Sequence, residues 1–290
     1  MATRRAWVLN LDADLELLAA DGYTPRQSVR DAMVPHVEHL RATLLGPDDV
    51  LVSEGQRDGV ARGLPGRAFC PTPRAVRLLR ASGSIPEPHP DVAILRHVND
   101  RAFAASLGPT LPHASFITSV EAAEELLARD PELGMGWRIK RRFGMAGRGQ
   151  RVVPWGRGLA DAERAFLRSG VAEGGVQIEP NVAIDAEYAL HGQLAVDGAL
   201  ATGAIVTQRC DDRGAWLKTE RVDPRHAPDA ALALDEEVRR VAFALKQAGY
   251  FGPFGVDAYR YRDREGALRF QPRSEINARY SMGFAIGFGR

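Results

Sequence analysis

Lysine is nearly missing from this chain of 290 residues: Lys140, Lys218 and Lys246 are the only lysines among 38 basic side chains. Each one is therefore informative, because arginine replaces lysine poorly where a compact point charge is needed. Cysteine is rarer still, and Cys70 and Cys210 have no metal-ligand spacing. This excludes a disulfide scaffold and a cysteine-based zinc site. No apolar run approaches the roughly 20 residues of a membrane span.

An excess of charge of either sign is also absent. The formal net charge is +1, from 38 Lys+Arg and 37 Asp+Glu, so the sequence predicts no nucleic-acid partner and no membrane partner. The apolar run in the first 20 residues is broken by Asp12, Asp14 and Glu16, which is not the pattern of a signal peptide. Together with two thiols that we expect to stay reduced, this predicts a cytoplasmic protein.

The composition is that of a globular protein, with 45% hydrophobic and 26% charged residues. In the first third of the chain, short apolar runs predict strands at residues 6–11, 50–53, 68–71 and 93–95. Thr72 and Pro73 predict the start of a helix, because Thr is a good N-cap and Pro fits the first helical turn. This alternation of strands and helices predicts an α/β layer over residues 1–96.

The rest of the chain predicts longer elements and no internal repeat. Apolar periodicity predicts helices at residues 99–107, 161–168 and 235–248. A capping-box pattern at Thr118 and Glu121 predicts one more helix. The predicted strands cover residues 137–140, 150–153, 176–179, 187–194, 200–208, 254–261 and 268–277.

A glycine-rich segment separates two of these predicted strands. Gly144, Gly147 and Gly149 lie between them, without the spacing of a P-loop or of a dinucleotide-binding turn. Glycines let the main chain approach a polyphosphate closely, and Lys140 at the end of the incoming strand suits a phosphate charge. The segment predicts either a phosphate-binding hairpin or a surface hairpin without a ligand.

Oxygen ligands accumulate on the last two predicted strands. Side chains alternate along a strand, so Glu275 and Asn277 share one face. Asp257 lies in the preceding strand in an apolar setting, where a carboxylate needs a cation or donors beside it. Two carboxylates and an amide oxygen suit Mg²⁺, and Arg279 is placed to stabilise a transferring phosphoryl group. The alternative is an ordinary hairpin in which Glu275 pairs with Arg273 or Arg279.

These segments together resemble the ATP-grasp superfamily, and the resemblance spans residues 97–283. Its most specific part is the Glu-x-Asn-x-Arg run at Glu275, Asn277 and Arg279, which with Asp257 is similar to the family's metal-binding signature. The resemblance implies that Asp257, Glu275 and Asn277 hold the metal and that Lys140 and Arg279 act in catalysis. It also implies that the segment 144–149 is a lid over the phosphates.

The resemblance further implies a nucleotide site. Gln177, Glu179 and the main chain near Val182 resemble the hinge that meets the adenine, and Glu187 is similar to the residue that holds the ribose hydroxyls. Asn99-Asp100-Arg101 resembles the segment that usually carries an earlier ATP-binding lysine, so Arg101 stands where the family has lysine. The remaining members of the expected nucleotide site contact the phosphates. They are Gly144, Gly147 and Gly149 of the lid, Lys140, and Lys218 as a third phosphate-contacting cation.

The fold implied is α/β and α+β, an ATP-grasp fold with an N-terminal pre-ATP-grasp α/β domain. We expect that domain at residues 1–96. A linker and a subdomain with the Gly-rich lid follow at 97–175, and a subdomain with the adenine hinge and the metal site at 176–290. The implied ligands are ATP and Mg²⁺, with Mn²⁺ as an alternative metal.

The activity implied is a Mg-ATP-dependent ligase, which joins a small-molecule or peptide carboxylate to an amine, or less often a thiol, through an acylphosphate. Two alternatives stay open: an ATP-grasp kinase acting on a small molecule or a protein, and a non-catalytic nucleotide-binding module. Arg209, Arg213 and Arg273 are candidates for binding a substrate carboxylate, since arginine suits bidentate contacts. A homodimer is the default expectation for the assembly.

Overall fold

The structure is a computed structural model that describes residues 3–19, 22–55, 59–145, 147–211 and 216–289. Its strands form three sheets, one after another along the chain. Helices pack on each of them. This mixed architecture confirms the predicted α/β and α+β fold class.

The first sheet consists of four short parallel strands. They are β1 (Ala6–Val8), β2 (Val50–Leu51), β3 (Pro65–Ala68) and β4 (Ile85–Pro86), in the spatial order β2-β1-β3-β4. Parallel strands need crossover connections, and α1 (Ala13–Ala19), α2 (Gln27–Thr43) and α3 (Pro73–Ala81) lie in them. Ala6 and Val8 pack with Leu79 of α3, whereas Trp7 points into a different core. The pleat of β1 thus divides its side chains between two layers.

Two short helices link the first sheet to the second. They are α4 (Val92–Val98) and α5 (Arg101–Ser106). The strand predicted at residues 93–95 is wrong, because these residues lie inside α4. A short apolar run does not distinguish a buried strand from a helix by periodicity alone. Leu95 and Val98 are buried three residues apart, as on one face of a helix.

Of the two predicted helix caps, the structure confirms the position of Thr72 and shifts the other by one residue. Thr72 is the N-cap of α3, but its hydroxyl donates to Glu16 rather than accepting from the helix. For the helix α6 (Val120–Ala128) the N-cap is Ser119, which accepts from the backbone N–H of Ala122, and not Thr118. Two adjacent hydroxyl residues fit the same capping pattern, so sequence alone left the register open by one position.

The second sheet is antiparallel. It contains β5 (Ser115–Ile117), β6 (Gly136–Met145), β7 (Arg148–Pro154) and β8 (Val176–Pro180), in the order β5-β8-β6-β7. Helices α6 and α7 (Asp161–Ala172) cover it, and Trp137, Ile139 and Leu167 form its dry centre. Helix α7 continues past the predicted end at residue 168 and includes Gly170. β8 pairs within this sheet, although the predicted division at residue 176 places it with the third segment.

The third sheet has six strands. They are β9 (Ala183–Leu194), β10 (Leu200–Thr202), β11 (Val206–Cys210), β12 (Trp216–Arg221), β13 (Gly252–Arg262) and β14 (Leu268–Asn277). The order is β12-β11-β9-β13-β14, and β10 pairs with β9. The strand predicted at residues 200–208 is therefore two strands. Helix α8 (Pro228–Gln247) packs on one face, and the short α9 (Phe284–Phe288) follows β14.

One apolar core joins the first and third sheets. Trp7 of β1 and Phe69, just after β3, belong to the same buried cluster as Val256 and Ile276 of the third sheet. The ring of Tyr280 lies 5.3 Å from that of Trp7 in an edge-to-face arrangement. The N-terminal layer is therefore packed against the strands that carry the predicted metal ligands. In the described ranges, no helix combines the length and apolarity that crossing a bilayer requires.

Arg273, a candidate for binding a substrate carboxylate, has a structural role instead. Its side chain is 3% exposed and pairs with Glu237 of α8, and it also donates to the carbonyl oxygen of Gly108. A buried guanidinium that already has a carboxylate partner ties α8 to β14. The residue does not line the large cleft described below.

We expect Glu237→Ala to lower the free energy of unfolding by about 3–5 kcal/mol, because it leaves the charge of Arg273 buried and unpaired. Asp235→Ala on the same helix is the matched control. It removes the exposed pair with Arg239, 2.8 Å long, and should cost at most about 1 kcal/mol. Chemical denaturation of both variants measures the difference. Equal losses would show that the buried pair does not stabilise the fold.

Candidate active site

A cleft of about 800 Å³ opens between the three sheets, a size typical of pockets for small molecules and cofactors. The second sheet contributes β6, β7 and β8, and the third contributes β9, β11, β13 and β14. The N-terminal layer closes it with α2, Leu11 and Phe69. Most of the predicted site residues line this cleft: Arg101, Lys140, Gly144, Gly147, Glu179, Val182, Glu187, Asp257, Glu275, Asn277 and Arg279.

The predicted metal ligands meet on the last two strands. Asp257 of β13 stands directly opposite Glu275 of β14, and Gly255 stands opposite Asn277. The Asn277 amide donates to Asp257 Oδ2 over 2.8 Å. The amide oxygen of Asn277 lies beside this nitrogen, so Asn277 is the third side chain with an oxygen at the cluster. Residues opposite each other on antiparallel strands share a face, which puts both carboxylates and the amide on the cleft side.

The electrostatics of this cluster favour a cation. Like charges directly opposite each other destabilise a sheet. Burial and the neighbouring Glu275 raise the pKa of Asp257 to about 7. Among the described residues, no lysine or arginine lies within ion-pair distance of Asp257. Carboxylate and amide oxygens are what Mg²⁺ prefers, so the donor set fits this metal.

Gln208 is a member of the cluster that sequence reasoning missed. It lies on β11 and donates to Asp257 Oδ1 over 2.9 Å. Both oxygens of Asp257 therefore accept hydrogen bonds, one from Gln208 and one from Asn277. These bonds fix the orientation of the carboxylate. The only signal was an amide on the polar face of a predicted strand, and pairing across three strands is not readable from sequence.

The side of the cleft formed by the second sheet carries the predicted lysine. Lys140 Nζ lies 2.6 Å from Glu179 Oε1, and both side chains are largely buried. Arg138, two residues earlier on β6, donates to Gln150 and to Asn181. Side chains two apart share a face of the strand, so two cations point into the cleft from β6.

The glycines of the β6–β7 hairpin differ in what they do. A Cβ at Gly144 would come within 2.8 Å of the Arg148 carbonyl oxygen and 3.3 Å of the Arg101 guanidinium. Gly147 and Gly149 have φ of +72° and +84°, values that favour glycine. The sequence therefore needs glycine for the turn and for a close approach of Arg101. Position 146 of the expected lid lies outside the described residues.

Arg101 connects the β6–β7 hairpin to β14. It donates to the Arg141 carbonyl oxygen over 2.5 Å and to Glu275 Oε1 over 2.7 Å. Its side chain is 14% exposed, against 37% for Glu275. The charge expected from the resemblance is present at this position. It is placed between the glycine hairpin and a predicted metal ligand.

Arg279 is held by the N-terminal layer. It donates to both oxygens of Asp14, over 3.3 and 2.7 Å, and its guanidinium lies 5.4 Å from the centre of the Phe69 ring. Burial alone would lower the pKa of Arg279, but Asp14 raises it overall, so the group stays charged. The sequence did not reveal this partner, because Asp14 lies 265 residues away.

Three predicted nucleotide-site residues do not line the main cleft. Gln177 lines a smaller cavity that also touches Arg101 and Glu179. Gly149 supports the hairpin turn. Lys218 is on the exposed surface of β12 and pairs with Glu220 over 2.7 Å. Of the arginines expected to bind a substrate carboxylate, Arg209 lines the cleft, and Arg213 lies outside the described residues.

Comparison with known proteins identifies the fold of the chain through solved structures. A scan against protein-family models and a search of curated proteins each found no match. Solved structures match over almost the whole chain. A biotin carboxylase–beta-gamma-ATP complex from Campylobacter jejuni is 14% identical, with a TM-score of 0.56, over 98% of this chain and 71% of that one.

Two further structures match similarly. The D-alanyl-alanine synthetase A of Vibrio cholerae is 11% identical, with a TM-score of 0.52, over 99% of this chain and 92% of that one. The N5-carboxyaminoimidazole synthetase of Staphylococcus aureus, complexed with ADP, is 14% identical, with a TM-score of 0.51, over 96% and 71%. All three have the ATP-grasp fold. At such identities the likeness shows the fold, and the chain has the ATP-grasp fold.

The raised pKa of Asp257 predicts a pH dependence of stability. Its pKa in the folded protein is about 7, above the usual 3.8. Between about pH 4 and pH 7 the folded chain therefore binds the proton that the unfolded chain has released, so stability falls as the pH rises. Asp257→Asn should remove this slope. Because the group is partly exposed, we expect a gain over wild type on the order of 1–2 kcal/mol between pH 5 and pH 8.

The measurement is chemical denaturation of both proteins in a chelator at several pH values. A variant in which the exposed Asp235 is replaced by Asn is the control, and it should follow wild type. Parallel curves for wild type and Asp257→Asn would contradict the assigned environment of Asp257.

Proposed function

We propose that the chain is a Mg-ATP-dependent ligase that activates a carboxylate as an acylphosphate and joins it to an amine. The observation that carries this proposal is the opposition of Asp257 and Glu275, with Asn277 beside them, in a cleft that also contains Lys140 and Arg101. Phosphoryl transfer requires side chains that can hold a metal ion next to cationic side chains that can contact a phosphate. The ATP-grasp fold and the ADP bound to the Staphylococcus aureus structure support it.

The residues of the second sheet would bind the nucleotide. Lys140 and Arg138 point into the cleft from β6, where they would neutralise phosphate oxygens. Glu179 and Pro180 lie at the end of β8 with Val182 just beyond, all at the cleft wall. A hinge of this kind offers main-chain groups and an apolar surface to a flat base. Glu187 of β9 lines the same wall and has carboxylate oxygens for ribose hydroxyls.

The residues of the third sheet would act at the reacting phosphate. Asp257, Glu275 and Asn277 would hold Mg²⁺, which neutralises charge on the β- and γ-phosphates when bound. Gln208 keeps Asp257 oriented. Arg279 is charged, is fixed by Asp14, and would stabilise the charge on the transferring group. These fixed groups need little rearrangement at the moment of reaction.

The proposed ligase reaction has two steps. A carboxylate oxygen of the acid attacks the γ-phosphorus of ATP and ADP leaves, which gives the acylphosphate. An amine nitrogen then attacks the acyl carbon, phosphate leaves, and the amine loses a proton. The protein supplies position and charge, not a covalent bond. Cys210 lines the cleft, but burial and Glu187 raise the pKa of its thiol, so it stays protonated and is a poor nucleophile.

We expect MgATP to stabilise the protein against thermal unfolding, by about 2.7 kcal/mol at 100 times its Kd. Glu275→Gln keeps the side-chain size but removes the negative charge that would hold Mg²⁺, so most of the magnesium-dependent stabilisation should be lost. Glu220→Gln is the matched control, because Glu220 also sits in an ion pair but lies outside the cleft. Wild-type protein that shows no nucleotide-dependent shift would contradict nucleotide binding.

The product separates a ligase from the alternatives. With hydroxylamine as the amine, a ligase releases ADP and phosphate and forms a hydroxamate from the acid. A kinase would leave the phosphate on an acceptor, and a binding module would bind MgATP without turnover. We expect hydroxamate formation to fall at least about 100-fold in Lys140→Ala, since removal of a single electrostatic group in an active site commonly costs this much. Lys246→Ala, on the surface of α8, is the control.

A further inference from the structure

The cleft has a second half that nucleotide binding does not use. Beyond the metal cluster its wall is formed by the N-terminal layer and by the edge of the third sheet. Six apolar or aromatic side chains line it: Leu11, Met33, His36, Phe69, Trp216 and Met282. The phosphate half, in contrast, is lined by Arg101, Arg138, Lys140 and Arg148. A single cleft thus contains two environments of opposite character.

Contacts across the wall hold its aromatic parts in place. The ring of His39 on α2 lies 4.4 Å from the ring of Trp216, and His36 lies 5.8 Å from it. His39 Nε2 is 3.4 Å from the Met282 carbonyl oxygen. The indole N–H of Trp216 donates to Thr219 Oγ1 over 2.7 Å. Since its one polar group is already bonded, Trp216 offers the cleft only ring surface.

The imidazole on this wall adds no charge at neutral pH. Burial, and then the neighbouring His39, lower the pKa of His36 below its usual 6.5. Among the described residues, the charged groups near the wall are Arg279, which pairs with Asp14, Glu187 beside Cys210, and Arg209 and Asp211 at the exposed rim. In the described part of the chain, the interior of this half is therefore mostly apolar and suits an apolar group.

The apolar wall is close to the place where the acid must react. Gln208, which bonds to Asp257, is two residues before Cys210 on β11, and Cys210 pairs with Trp216. Two residues span about 7 Å along a strand, and a neighbouring strand lies about 5 Å away. Trp216 on β12 is three strand spacings from Asp257 on β13, about 14 Å between backbones, so the indole and an amino-acid-sized acid together can span this distance. At the other end of the wall, the Phe69 ring lies 5.4 Å from the guanidinium of Arg279, two residues after Asn277.

We propose that this half of the cleft binds the acid substrate, and that the acid carries an aromatic or branched aliphatic side chain beside the carboxylate that reacts. This inference rests on the proposed ligase function. It names a substrate class that the nucleotide and metal residues do not specify. The side chain would pack between α2 and Trp216, with Phe69 and Leu11 at its base.

The test uses hydroxylamine trapping with two sets of acids. The apolar set is L-phenylalanine, L-leucine and 3-phenylpropanoate, and the small or charged set is glycine, acetate and succinate. We expect kcat/KM for the apolar set to exceed that for the small set at least about 10-fold, since burial of such a side chain contributes about 1.5–3 kcal/mol. Trp216→Ala should raise KM for the apolar acids about 10-fold and leave the Kd of MgATP unchanged.

Two further variants keep the test independent of folding effects. Ala32→Glu adds a charge at an exposed position of α2 that lines the cleft, so it should weaken the apolar acids selectively without disturbing the core. Trp155→Ala removes a tryptophan outside the cleft that is 44% exposed and should behave as wild type.

The outcomes distinguish this inference from the proposed function. Equal or better hydroxamate formation from the small or charged acids, no hydroxamate from any apolar acid, or unchanged KM in both Trp216→Ala and Ala32→Glu would each overturn the apolar subsite. A protein that binds MgATP and forms hydroxamate from a small acid would remain a ligase and lose only this inference. A protein that binds no MgATP would lose both.

Discussion

The site depends on the pairing register of β13 and β14. Asp257 faces Glu275 because Val256, one residue earlier, pairs with Ile276. Both apolar side chains are buried in the main core, at 0% and 5% exposure. A slip of β14 by one residue would turn Ile276 into the cleft and Glu275 into the core, away from Asp257. The hydrophobic face of the hairpin thus fixes the ligand geometry on its other face, and keeps two like charges together despite their repulsion.

The segment after α4 secures this arrangement with three consecutive side chains. Asn99 accepts from the backbone N–H of Ala278 and donates to its carbonyl oxygen, which pins the chain where β14 ends. Asp100 pairs with Arg142 on the hairpin of the second sheet. Arg101 binds Glu275. Three neighbouring residues thus contact the end of β14, the glycine hairpin and the predicted metal ligand Glu275, so the position of each depends on the others.

Sequence reasoning was strongest where alternation and local pattern decide the structure. β13 and β14, with Asp257, Glu275 and Asn277 on one face, were predictable because a strand has a period of two and its turn carries Asp263 and Gly266. It failed at α4, where a four-residue apolar run fits either element.

Contacts between residues far apart in the chain were also not predictable from the sequence. Asp14 as the partner of Arg279, Glu237 as the partner of Arg273, and Gln208 as a donor to Asp257 all join residues between 36 and 265 positions apart. Each of these charged or amide groups looks like a solvated surface residue in the sequence. Asp14 and Glu237 meet their partners only through the packing of the N-terminal layer and of α8 on the third sheet, and Gln208 meets Asp257 only through the strand order within that sheet. Substrate preference, which depends on the walls between layers, is hidden for the same reason.

The ATP-grasp family that this sequence resembles usually has lysine at the position of Arg101. The contacts of Arg101 explain why arginine fits there. Its planar fork reaches two acceptors at once, the Arg141 carbonyl oxygen and Glu275, which a lysine ammonium on a flexible stem would hold less firmly. In the described part of the chain its buried Nε has no hydrogen-bond partner, and such a donor costs about 1–3 kcal/mol. Glu275 is meanwhile neutralised by Arg101. A bound metal would take over that neutralisation, and the released guanidinium would find its acceptors on a phosphate. In the proposed ligase, occupation of the metal site would thus be coupled to phosphate binding through this one side chain.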